Sequence, residues 1–346
     1  MITEGTRSPR RRGPVAGRGR SLRPPAPASR VKQALHRLVD WSGWTKLAAM
    51  TTTVAAIAAL WFTSQSLRAT DNQYNLSRQV AVTDRFQKAV DQLTSDKIDI
   101  RLGGIYLLER LAKDSPADHP TIFAVLSAFL RTHTSASACD TPTPATPAPV
   151  DVQAVLTVIG TREASRDDHR RTFDLRRTCL SGMQLNAANL TRTELRYANL
   201  TQADLAFANL VGVQFDGANL TRAHLGGADV SCAKDSDGVW SCASLDEANL
   251  TEAHLADAHL TAATFVRANL ADADLARANL TDANLLGANL TGANLVGADL
   301  TNAQLTDRFT GTGTLDANLT DIYYDHATRW PDGFTPPKSR PSVERR

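Results

Sequence analysis

The stretch ANLTDANLLGANLTGANLVGADL, Ala278–Leu300, sets a leucine at every fifth position: Leu280, Leu285, Leu290, Leu295 and Leu300. Alanine stands two residues before each leucine, and Asn or Asp one residue before. This spacing is neither the period of a helix nor that of a strand. A five-residue unit with one large apolar side chain has no core of its own. Wound into a coil, several units point their leucines inward together. The alanines then mark a second inward position with room only for a methyl group, and the remaining positions face water. Coils stacked at the strand spacing of about 4.8 Å pair backbone groups from turn to turn. The result is a solenoid in which each coil touches mainly its neighbours. Recurrent Asn/Asp at one place suits turns and side-chain-to-backbone hydrogen bonds.

The period extends well beyond this stretch. Every fifth residue is Leu, Phe or Val from Leu175 to Val230, twelve units, and again from Leu245 to Leu305, thirteen units. The inward side chains expected to build the core include Leu180, Leu190, Leu200, Leu210, Phe215, Leu220, Leu250, Leu260, Phe265, Leu270, Leu280, Leu290 and Leu300. Between the two runs lies SCAKDSDGVWSCASL, Ser231–Leu245, where Asp235 and Trp240 take leucine positions. A loop is expected to break the coil over 231–244. Cys232 and Cys242 bracket it. Outside the cell they form a disulfide; inside they stay reduced. The DSDG within the loop lacks EF-hand spacing, because Val239 stands at a ligand position.

The A(N/D)Lxx pattern resembles the pentapeptide-repeat proteins. That resemblance implies a mainly β solenoid, a right-handed quadrilateral β-helix with four units per coil and about six coils here. Two further stretches resemble actinobacterial membrane-associated members of the family. They are VTDRFQKAVDQLTSDKIDIRLGGIYLLERLAKDSPADHPTI at Val82–Ile122 and YYDHATRWPDGF at Tyr323–Phe334. The likeness spans roughly residues 73–334 and omits the Arg-rich start. In the family the C-terminal end of the coil sometimes dimerises, so a homodimer is one expectation.

Ahead of the repeats, the net charge of +2 hides an uneven distribution. Residues 1–46 hold eleven Lys/Arg against Glu4 and Asp40, whereas residues 175–305 hold eight Lys/Arg against fourteen Asp/Glu. The Arg/Pro-rich residues 1–43 lack the apolar surface needed to offset ordering entropy and read as a disordered tail. LAAMTTTVAAIAALWF, Leu47–Phe62, carries no charge and has tryptophans at its ends. One transmembrane helix is expected over 44–66, acting as a signal anchor. The basic excess before it places the N-terminus in the cytoplasm and the repeats outside. Apolar spacing at Val82, Phe86, Val90 and Leu93, and again at Leu102, Ile105, Leu108 and Leu111, predicts a small helical segment over 72–134. A Pro/Thr-rich linker follows at 135–149. A capping helix with its lead-in is expected over 150–172, with Asp151 as N-cap. The β-helix is expected over 173–320 and a C-terminal cap and tail over 321–346.

No catalytic arrangement stands out, and the chain reads as a non-enzyme without cofactor. His224, His254 and His259 sit at outward positions with no nucleophile beside them. No CxxC pair marks a structural zinc site, and no P-loop or GxGxxG marks a phosphate cradle. The reading is a membrane-anchored scaffold for an unidentified protein partner, with no nucleic acid bound. The alternative, implied by a subset of the family, is a DNA-mimicking modulator of DNA gyrase. It is weakened by a mildly acidic surface whose first coil carries Arg176, Arg177, Arg192 and Arg196.

Overall fold

The computed structural model describes residues 32, 35, 43–135, 139, 149–167, 172–234, 238, 240–307 and 315–340. The expected tail over 1–43 and linker over 135–149 lie almost wholly outside the described residues, as does Asp235. Two compact units are present, Met1–Leu76 and Ser77–Arg346.

Helix α1 runs Gly43–Leu93 without a break. This corrects the expected boundary between a spanning helix ending at 66 and a separate helical segment beginning at 72. No Gly or Pro occurs between Trp44 and Leu93, so nothing in that sequence stops the helix. Part of α1 is long and apolar enough to cross a membrane. Its threonines suit that role. Thr51 donates to Ala48 O at 2.9 Å, Thr52 to Ala49 O at 2.9 Å and Thr53 to Ala49 O at 2.8 Å, so each hydroxyl is satisfied inside the helix.

In the second unit, α2 (Ile98–Asp114), α3 (His119–His133) and α4 (Val150–Gly160) follow. Ile105, Leu108 and Leu111 of α2 and Ile122, Leu126 and Leu130 of α3 are fully buried at helical spacing. Gly104 permits close contact with the end of α1: a Cβ there would lie 2.7 Å from Ala89 O. Asp151 is not the N-cap of α4. Pro149 holds that position without a side-chain bond, while Asp151 pairs with Arg101 at 2.9 Å from within the first turn.

The repeats stack as four columns of parallel backbone bridges between residues 20 apart, such as Asn249↔Asn269, His254↔Asp274, His259↔Asn279 and Thr264↔Asn284. Nearly every backbone group in a unit is used. Leu250 N donates to Asn269 O of the following coil at 2.7 Å, and Asn269 N to Ala248 O of the preceding one at 2.9 Å. Ala253 N closes the turn on Leu250 O at 3.0 Å. The Asn side chain completes the corner, accepting Thr251 N on Asn249 Oδ1 at 3.1 Å. Each corner needs one residue in the left-handed region. Gly fills it at Gly217 and Gly227, but Arg177, Tyr197, Phe207 and Glu252 also hold φ between 56° and 59°.

An insertion leaves the stack intact. Around 231–242 the pairing step lengthens to thirty residues, as in His224↔His254, and the columns continue. The expected break is therefore a looped-out hairpin, Ala233–Lys234 against Trp240–Ser241. The stack also passes the expected limit at 320, because Tyr323 and Arg329 bridge Asn294 and Asp299. Trp330 stacks on Phe334 at 5.5 Å and meets Tyr324 edge-to-face at 5.3 Å, and all three pack against the core.

The N-terminal edge of the coil is also closed. Ser135 bridges Thr178, and Cys139 is disulfide-bonded to Cys179 of the same column. The Gln153 amide pairs like a strand with Gln184, donating to its O at 2.7 Å and accepting from its N at 3.0 Å. Asn189 N donates to Gly160 O at 2.8 Å. Arg162, whose side chain is 0% exposed, donates to Asn189 O, to Thr191 O at 3.1 Å and to Asp167 at 2.9 Å. Its guanidinium lies 4.0 Å over the Phe173 ring, and Asp167 also bonds His119 at 3.0 Å.

Candidate interaction surface

Period and coil together decide which side chains reach the surface. Leu180, Leu190, Leu200, Leu210, Phe215, Leu220, Leu250, Leu260, Phe265, Leu270, Leu280, Leu290 and Leu300 are buried, as are the alanines two places before most of them. None of these reaches solvent. The surface consists of the residues before and after each inward leucine, repeated on four sides.

The sides differ chemically. One carries Asn199, Asn219, Asn249, Asn269, Asn289 and Asn318, most with a threonine two places on. The threonine hydroxyl is bound to the Asn, as in Thr251 Oγ1 to Asn249 Oδ1 at 2.7 Å. The Asn amides also bond from coil to coil, Asn289 Nδ2 reaching Asn269 Oδ1 at 3.0 Å. This side is uncharged, and much of its hydrogen bonding is internal.

The next side carries Asp204, His224, His254, Asp274, Asn294 and Tyr323 in one column. Sequence alone separates His224 from His254 by thirty residues. The hairpin insertion takes up ten of them, and the rings stack at 4.6 Å with 23° between planes. They line a groove of about 770 Å³ with Asp272, Asp274, Tyr323 and the Arg222–Glu252 pair, whose closest atoms are 2.8 Å apart. His259 falls in a different column, opposite Asp229 and Asn279. Among the described residues, no group of three or more His, Cys, Asp or Glu is arranged to hold a metal ion.

The hairpin projects beside that last column. Cys232 and Cys242 are disulfide-bonded at its root. Trp240 is 65% exposed and borders a second groove with Asp229, His259 and Thr261. Tyr197 and Phe207 are likewise exposed corner residues, each ring lying over a glycine of the following coil, Gly217 and Gly227.

At the N-terminal end, Arg131, Arg176, Arg177 and Arg196 line one pocket with Asp174, which Arg131 and Arg176 contact directly. Hydrogen bonding from Arg176, opposed by partial burial and aided by Arg131, holds the Asp174 carboxyl below its usual range. Its partner Arg176 is held above the usual guanidinium value by the same bond. The sequence marks these arginines as basic but does not show that α3 contributes Arg131. It also gives no sign of the Cys139–Cys179 bond, since the two lie 40 residues apart.

The sequence matches a known family and resembles several solved structures. The sequence profile of the family described as Pentapeptide repeats matches eight copies, in residues 174–205, 198–233, 243–282 and 268–307. No curated protein matches the sequence. Among solved structures, HetL, a pentapeptide repeat protein involved in heterocyst differentiation regulation from Nostoc sp. strain PCC 7120, is 32% identical. The match covers 45% of this chain and 74% of that one, with a TM-score of 0.26. A pentapeptide repeat protein from the Arabidopsis thaliana thylakoid lumen is 31% identical over 32% of this chain and 69% of its own, with a TM-score of 0.28. QnrB1, a plasmid-mediated fluoroquinolone resistance protein, is 19% identical over 43% of this chain and 79% of its own, with a TM-score of 0.24.

Proposed function

This chain belongs to the pentapeptide-repeat family, and we propose that it is a membrane-anchored, non-catalytic scaffold for protein–protein interaction, with its repeats outside the cell membrane. We read the winding as right-handed, with about six coils. The observation that carries the reading is the state of the cysteines. All four pair, Cys139 with Cys179 and Cys232 with Cys242, and none is free. Disulfides persist in oxidising compartments. The helix able to span a membrane precedes both bonds in the chain, and eleven basic residues precede or border its apolar run. Among the described residues, the outward positions form ordered, chemically distinct sides, which suits recognition.

Labelling with a membrane-impermeant maleimide tests the orientation. Lys338 is exposed and lies near the C-terminus. Lys338→Cys, in a chain with the four native cysteines changed to serine, should label in intact cells. Labelling only after lysis would refute the external placement.

A further inference from the structure

We propose that the pocket at the N-terminal end of the coil binds a phosphate group. The pocket, of about 570 Å³, is lined by Arg131, Asp174, Arg176, Arg177, Arg196 and Tyr197. It does not depend on the scaffold reading or on membrane orientation.

The charges do not cancel there. Arg131 reaches Asp174 at 2.6 Å, and Arg176 holds the same carboxylate at 2.9 and 3.0 Å. Arg177 makes no ion pair among the described residues; its guanidinium lies 5.9 Å from the Tyr197 ring centroid. Two guanidiniums therefore share one carboxylate, and Arg177, on the lining of the same pocket, adds a third. Arg196 is balanced separately, by Asp216 at 2.7 Å and Glu194 at 3.4 Å. The setting sharpens the contrast. Of the eight Lys/Arg between residues 175 and 305, four fall within 175–196, facing a single acid of that stretch, Glu194; the other thirteen acids come later.

The chemistry favours phosphate over carboxylate. A guanidinium offers five donors in a planar fork. Asp174 already occupies one edge of Arg176 and one donor of Arg131, leaving donors that point in several directions. A tetrahedral oxyanion can accept from three guanidiniums at once, whereas a planar carboxylate has two oxygens to offer. The Arg177 guanidinium lies within cation–π reach of the Tyr197 ring on the next coil, on the lining of the same pocket.

The experiment uses the full-length chain in a neutral detergent, with inorganic pyrophosphate as the probe, titrated by calorimetry. The Arg-rich N-terminus contributes the same background to every variant. R176Q/R177Q should weaken binding at least tenfold while the melting temperature stays within a few degrees, because both side chains are exposed and Gln202 already holds a left-handed corner. D174N should tighten binding several-fold by releasing two guanidiniums, an effect that loss of structure would not give. Equal binding by wild type and R176Q/R177Q would overturn the proposal. So would a tetraglutamate peptide binding as tightly as pyrophosphate. Short-chain phosphatidylglycerol displacing pyrophosphate would support a lipid headgroup as the natural source; failure to displace it would support a soluble phosphate compound.

Discussion

Replacing Arg162 with methionine should unlock the N-terminal edge of the coil. The side chain is 0% exposed and joins three parts of the molecule: α4 through Ile159 O, the 161–167 segment through Asp167, and the first coil through Asn189 O and Thr191 O. Burial alone lowers the Arg162 pKa, and only the neighbouring Asp167 opposes that. Methionine keeps much of the contact with Phe173 but leaves Asp167 with His119 as its remaining side-chain partner. Breaking a buried pair costs roughly 3–5 kcal/mol, and each orphaned carbonyl adds about 1 kcal/mol. Asp167 is 15% exposed, so water recovers part of this, and about 3 kcal/mol should remain. Because a solenoid responds mainly near the lesion, the loss should be local. Hydrogen exchange read by mass spectrometry should show peptides around Asn189–Leu190 opening roughly a hundredfold faster, with peptides around Asn279–Leu280 unchanged. Less than a threefold change at the first coil, or an equal change at both places, would refute the view that Arg162 fastens the edge.

Three further outcomes follow from the same geometry. Ala253 is fully buried at the narrow inward position, so Ala253→Leu should destabilise by about 1–3 kcal/mol or more by overpacking; a melting temperature equal to wild type would show the interior to be wider than described. A Cβ at Gly217 would meet the Tyr197 ring at 2.6 Å, and the residue sits at φ +64°; Gly217→Ala should cost about 1–2 kcal/mol, and Tyr197→Ala should recover part of it in a double-mutant cycle, whereas strict additivity would exclude the contact. Asp174 has a depressed pKa in the folded state, so its contribution is present above about pH 4 and lost as pH falls through the lower folded value; acid unfolding curves of Asp174→Asn should be flatter than wild type below about pH 4, and parallel curves would contradict the pairing.

The coil was legible because its signal is repeated. Twenty-five inward positions at one spacing leave little choice of side, and alanine two places earlier sets the width. What could not be read from the sequence depends on contacts distant along the chain. The stacking of His224 on His254 needs the hairpin between them to loop out while the columns close beneath it, and nothing in the period announces that. Cys179 takes the place of an Asn in the repeat, yet only the fold brings it to Cys139. Asp151 looked like an N-cap from its position before an apolar run, but Arg101, fifty residues away, competes for its carboxylate. The unbroken α1 shows the opposite limit: a change in polarity near residue 66 suggested a boundary where the backbone has no reason to turn. Which side a partner reads was beyond the sequence, because the period places all four sides equally.

The most direct test of an external, disulfide-bonded repeat domain is its thiol state in living cells. Cells expressing the full-length chain would be quenched in acid, alkylated before and after reduction with distinguishable reagents, and digested for mass spectrometry. The account predicts that Cys139, Cys179, Cys232 and Cys242 are alkylated only after reduction, and that non-reduced digests contain the Cys139–Cys179 and Cys232–Cys242 peptides joined. Alkylation of all four before reduction would contradict it and place the repeats in a reducing compartment.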